Sequence, residues 1–119
     1  MIFDLLSFPS FSPQVSQKSL KMVIFEMVDW EWQTLKKLES DYDLIALQDC
    51  LTPDNALHYK DADIISTCVH SELNKFVLQQ FPKLKLIVMR SPNYENIDHQ
   101  YCQDYQISIC NVQSYFPLL

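Results

Sequence analysis

Leu84-Lys85-Leu86-Ile87-Val88-Met89-Arg90-Ser91-Pro92-Asn93-Tyr94-Glu95-Asn96-Ile97-Asp98 is the stretch on which the fold turns. Leu86 to Met89 form an apolar run too short for a helix and suited to a strand buried on both faces. The run ends in Arg90, passes a Ser-Pro-Asn turn, and meets a helical pattern at Ile97-Asp98. A strand whose carboxyl end opens into a loop and then a helix marks the edge where open α/β sheets place ligands.

The same grammar repeats on both sides. Residues 22–27 are a nearly all-apolar first strand, after which Asp29 is placed to cap a helix. Trp32, Leu35 and Leu38 give that helix an inward stripe, with Lys36 and Lys37 facing outward. Residues 43–47 are a second strand. Thr52-Pro53-Asp54 then predicts a helix start, with a short helix from 54 to about 60. Residues 64–69 are a third strand, and Ser71 is the expected cap of a helix over 72–81 that Pro82 stops. Leu73, Phe76, Val77 and Gln80 stand at helical spacing within it. A helix over 97–105 follows the fourth strand, and residues 107–110 make a fifth. Five such units joined by short connections predict an α/β fold with a five-stranded parallel sheet, helices on both faces, and strand order 2-1-3-4-5. Residues 1–20 mix phenylalanines with prolines and serines and read as a loosely ordered extension.

Composition narrows the function. A chain of 119 residues makes one domain, and 48% apolar content suits a globular core. A net charge of −6 disfavours nucleic acid and anionic membrane surfaces as partners. No apolar run approaches the roughly 20 residues that span a bilayer. The first residues carry Asp4 rather than a basic signal-peptide region, so the expected location is cytoplasmic. Cys50, Cys68, Cys102 and Cys110 show no metal-ligand spacing with His58, His70 or His99; Cys68 and Cys110 read as small buried hydrophobes. Most unusual is the absence of glycine. Every turn with positive φ must then use Asn, Asp or strain, and no glycine-rich phosphate loop can form.

Several pieces stand in a telling order: Phe25-Glu26 with Asp29-Trp30-Glu31, Leu51-Thr52-Pro53-Asp54-Asn55-Ala56, Tyr59-Lys60-Asp61-Ala62-Asp63, Leu73-Asn74-Lys75 with Val77-Leu78, Pro82-Lys83-Leu84-Lys85-Leu86-Ile87, Arg90-Ser91, Asn96-Ile97-Asp98, Tyr101-Cys102, and Cys110-Asn111-Val112 with Ser114-Tyr115. Residues 21–115 thereby resemble the substrate-binding (catalytic) domain of D-isomer-specific 2-hydroxyacid dehydrogenases, the D-lactate dehydrogenase branch in particular. The resemblance implies a flavodoxin-like three-layer domain, which in the family is hinged to a Rossmann domain that binds NAD. It places the family's catalytic Arg, Glu and His, and its G-x-G-x-x-G loop, in that second domain. No catalytic residue and no cofactor site are therefore expected here, residues 116–119 read as a truncated hinge, and the chain alone is expected to be inactive. The expected partner is a separate NAD-binding chain or a second copy, with no nucleic acid and no membrane. The alternative is a non-enzymatic α/β binding or adapter module descended from the same domain.

Residual substrate contacts are also implied. In the family a backbone N–H pair after the fourth strand grips the substrate carboxylate, and those positions align with Pro92 and Asn93. Proline has no N–H, so one donor is lost. Tyr115 aligns with a substrate-contacting tyrosine, and Cys68 and His70, flanking Val69, align with the pocket rim after the third strand. From the residues alone, His70 reads as a partly exposed loop histidine more readily than as a titrating ligand contact. Two family glycines align with Gln106 and Phe116, and a left-handed Gln106 would cost about 1 kcal/mol. Arg90 suits a bidentate hold on a carboxylate, with Asp98 or Glu95 as the expected bracing partner. Asp29, Glu31, Asp41 and Asp43 form no catalytic pair by spacing and read as solvated surface. His99 is expected on the solvent face of its helix.

Overall fold

The computed structural model describes residues 20–91 and 96–112. The extension at 1–19, Pro92, Asn93 and Tyr115 therefore lie outside the described residues. Five parallel strands, β1 (Lys21–Ile24), β2 (Asp43–Ala46), β3 (Ile64–Thr67), β4 (Leu86–Met89) and β5 (Ser108–Asn111), form one sheet in the order β2-β1-β3-β4-β5. Met22 pairs with Leu44 on one side and Ile64 on the other, while Val88 pairs with Ser66 and Cys110. Fold class and strand order are those the sequence predicts.

Alternation along the strands divides the core in two. Val23, Ile65 and Ile87 point to one face and pack with Leu73, Val77, Leu78 and Cys102. Met22, Ile24, Ile64 and Val88 point to the other and pack with Leu35, Leu38 and Tyr42. The second face is covered by α1 (Asp29–Leu35) and a 3-10 continuation, Lys36–Ser40. Leu35 and Leu38 are buried and Trp32 half-buried, so the expected stripe is present, with Lys36 and Lys37 exposed.

The cap of α1 differs from expectation. Val28, not Asp29, is the N-cap, and its N–H donates to the Glu31 carboxylate at 3.0 Å. The helix expected over 54–60 is a 3-10 turn, Ala56–Tyr59. Asn55 governs its start: Asn55 Oδ1 accepts from the Thr52 N–H at 2.9 Å, and its amide donates to the Cys50 carbonyl at 2.8 Å. That side chain satisfies the turn locally and competes with a helical ladder. Likewise the helix expected over 72–81 shrinks to α2 (Lys75–Leu78), capped by Asn74 rather than Ser71. Leu73 is drawn instead into a parallel bridge with Ile97, and Phe76 is exposed. α3 (His99–Asp104) is capped by Asp98, which accepts from the Tyr101 N–H at 2.9 Å. His99 is exposed, as expected.

After α3 the chain reverses through Gln106 at φ 59°. The Ile107 N–H donates to the Cys102 carbonyl at 2.8 Å and the Gln106 N–H to the Gln103 carbonyl at 3.3 Å. These are the two bonds of a left-handed helix stop, closed by contact between buried Cys102 and Ile107. The opposite edge of the sheet is pinned by Asp63, which accepts from the Lys21 N–H at 2.8 Å and meets the Lys85 ammonium at 3.4 Å. The carboxyl edge is left to the loops that build the site.

Candidate functional site

With β1 flanked by β2 and β3, chain direction across the sheet reverses between β1 and β3, and the cleft at their carboxyl ends is the favoured ligand position. The residue that dominates this edge is Glu26, two positions beyond β1. Its φ is 59°, a left-handed conformation unfavourable for a residue with a β-carbon. Its carboxylate is nearly buried and accepts three hydrogen bonds: from the Cys68 N–H at 2.9 Å, the His70 N–H at 2.9 Å and the Ser71 hydroxyl at 2.6 Å. Ser71 Oγ in turn accepts from the Leu51 N–H at 2.9 Å, so one carboxylate ties together the loops that follow three strands. Bonds to an ionised acceptor are about twice as strong as neutral ones, which offsets the backbone strain.

Arg90 provides a second tie. It is fully buried, and its Nε and Nη2 meet the Glu31 oxygens at 2.9 and 3.1 Å. Its remaining donors reach Ser66 Oγ at 3.0 Å and the Glu26 carbonyl at 2.8 Å. Arg90 does hold a carboxylate bidentately, as its chemistry suggests, but the carboxylate belongs to Glu31. Two expectations are corrected: among the described residues the partner is Glu31 rather than Asp98, and Glu31 is core rather than surface; Glu95 lies outside the described residues. Helix α1 delivers Glu31 inward at N3, where it both caps Val28 and meets the end of β4.

Between these ties opens a cleft of about 540 Å³, lined by Glu26, Met27, Val28, Asp29, Gln48, Cys50, Cys68, Val69 and His70. Cys68 and His70 are thus brought to one rim. Cys68, like Cys110, is half-buried rather than buried as expected, and its thiol donates to the Arg90 carbonyl at 3.6 Å. Burial pushes the Cys68 thiol above its ordinary value, partly countered by the Val69 N–H and the charge of Arg90. Burial, with the charges of Glu26 and Asp49, likewise raises Cys50. Neither thiol is set up as a thiolate nucleophile at neutral pH. Among the described residues no cluster of His, Cys, Asp and Glu could hold a metal ion.

The turn after β1, where a dinucleotide fold seats its pyrophosphate, does not fit that group. The Val28 N–H already donates to Glu31, and the Glu26 side chain lies in the turn. No residue of the sequence is glycine, so no backbone there can approach a phosphate in the way the fingerprint requires.

The family model of the D-isomer specific 2-hydroxyacid dehydrogenase catalytic domain matches residues 22–118. The chain belongs to this family. A 2-hydroxyacid dehydrogenase homolog of Zymomonas mobilis is 28% identical over 102 residues, covering 82% of this chain and 31% of the relative. Among solved structures, D-lactate dehydrogenase of Aquifex aeolicus, complexed with NAD and lactic acid, superposes with a TM-score of 0.70 at 26% identity. That match covers 82% of this chain and 29% of the Aquifex enzyme. The apo D-lactate dehydrogenase of Escherichia coli gives a TM-score of 0.71 at 18% identity, over 78% of this chain and 31% of that one, and supports the fold. This 2-hydroxyacid dehydrogenase domain therefore spans about a third of the length of the relatives it matches.

Glu26, Ser71 and Glu31 are the members of the site that sequence reasoning missed. One signal was available: with no glycine in the chain, a left-handed turn must fall on a residue with a side chain, and Glu26 is the polar residue near the end of the first apolar run. Of the two positive-φ residues described, Gln106 stands where the resemblance placed a family glycine, whereas Glu26 was not foreseen.

Proposed function

We propose that this domain supplies the substrate side of an NAD-dependent 2-hydroxy acid/2-oxo acid oxidoreductase of the D-lactate dehydrogenase type, and that these 119 residues alone are inactive. The observation that carries the proposal is the turn after β1. It is closed by Glu26 and Glu31, so that turn offers no seat for the coenzyme's pyrophosphate. Hydride transfer needs the nicotinamide held against the substrate carbon and a base within hydrogen-bond reach of the hydroxyl. The family resemblance assigns both to a second domain, and this chain's part is to form one wall of the cleft.

Pro92, Asn93 and Tyr115 are the residues proposed to face the substrate from the loops after β4 and β5, with Cys68 and His70 on the rim after β3. Because Pro92 lacks an N–H, this wall offers at most one of the two backbone donors the family uses for the carboxylate. The partner proposed is an NAD-binding domain on a separate chain, or a second copy of this one, meeting the cleft edge where Val28 and Val69 are exposed. Four free cysteines suit a reducing, cytoplasmic setting. No helix among the described residues is long and apolar enough to cross a membrane.

The test is turnover. The purified chain should form no NADH from D-lactate or related D-2-hydroxy acids. Mixing it with the isolated NAD-binding domain of a family member should yield activity that depends on both components. NADH formation by the chain alone, in proportion to its concentration, overturns the proposal. Complete silence with every cofactor domain tried favours the adapter module.

A further inference from the structure

We infer that the end of β3 is a carboxylate-binding subsite whose resident carboxylate is Glu26, and that Glu26 thereby sets ligand specificity by excluding an external carboxylate from this part of the cleft. Three donors within four successive loop positions converge on one pair of oxygens: the Cys68 N–H, the His70 N–H and the Ser71 hydroxyl, at 2.9, 2.9 and 2.6 Å. Two backbone amides and a hydroxyl aimed at one point make a receptor for a planar anion, and neither amide carries a charge that would favour a larger one. Glu26 lines the cleft together with Cys68 and His70, the residues of the two amide donors, while Ser71 closes the receptor from the buried side. Filling the receptor from within the chain requires Glu26 to hold its backbone at φ 59°, so the local geometry is bent to deliver the side chain.

A small acid entering the cleft meets these donors already engaged, with Glu26 and Asp29 adding negative charge to the lining. Its carboxylate must then be held elsewhere, and the β3 side of the cleft is left to a neutral or hydroxyl-bearing end of the ligand. The inference stands on this geometry alone and does not depend on which reaction the whole protein performs.

Glu26→Gly gives the direct test. It removes atoms equivalent to propionate, the carbon skeleton of a three-carbon 2-hydroxy acid. It also suits the left-handed backbone, because glycine has no β-carbon. Propionate should bind the variant saturably and raise its Tm by about 5 °C at ten times the dissociation constant. In two-dimensional NMR it should shift the Cys68 and His70 amides. Chloride at equal ionic strength and neutral propionamide should do neither, and wild-type protein should show no propionate-dependent shift at those amides. If Glu26→Gly does not fold unaided, propionate but not chloride should restore soluble folded protein. A variant indifferent to propionate in both assays, or a wild-type protein whose Cys68 and His70 amides respond to it, overturns the inference.

Discussion

Arg90 carries a full charge inside the core, with Glu31, Ser66 and the Glu26 carbonyl engaging its guanidinium. Removing one partner of a buried ion pair leaves the other charge without compensation, at a cost of about 3–5 kcal/mol. Arg90→Met should lower stability by that amount in urea titration. Arg90→Lys should not restore it, because an ammonium cannot span two carboxylate oxygens and two further acceptors. A loss below about 1 kcal/mol, the value for an exposed pair, would contradict the buried tie. Gln106 offers the opposite change. Its left-handed backbone costs about 1–2 kcal/mol relative to glycine, partly offset by glycine's greater freedom when unfolded. Gln106→Gly should therefore raise stability by about 0.5–1 kcal/mol, read from the urea midpoint. The strain at Gln106 was legible only through the family resemblance, which aligns this position with a family glycine. The Arg90–Glu31 pair was not: 59 positions separate the partners. Helical spacing sets Glu31 on the face of Leu35 and Leu38, but nothing local names its partner.

At the scale of elements, strands were more legible than helices. β4 begins and ends where the apolar run does, and β1 stops short of its predicted end because Glu26 turns left-handed. The short helices were overestimated where side chains compete for the backbone. Asn74 captures the Val77 N–H that a helix begun at 72 would need, and Ser71 is occupied by Glu26 and Leu51. Packing of α3 against the sheet also sets an alkaline limit. Burial, then the charge of Asp98, raises the Cys102 thiol from 9.0 to about 11. The folded state thus holds this proton more tightly than the unfolded chain. The associated stability is complete below the unfolded value and is lost as pH rises through the folded one. Urea midpoints should decline between pH 9 and about 11, and Cys102→Ala should flatten that decline. An unchanged slope in the variant would show that Cys102 is not its source.

For the whole molecule, strand order and the carboxyl-edge cleft followed from periodicity and connection length, because right-handed crossovers leave few topologies open. The content of the cleft did not follow. Which loop amides converge, and on whose carboxylate, depends on contacts between residues 42 to 45 positions apart. In the proposed function the domain is one wall of a site, with exposed Val28 and Val69 at its mouth and the Cys68 and His70 amides satisfied by Glu26. Such a wall should have no affinity of its own for the coenzyme. The most direct measurement is calorimetric titration of NADH into the purified 119-residue chain. The account predicts heats indistinguishable from dilution, and saturable binding with a stoichiometry near one coenzyme per chain would contradict it.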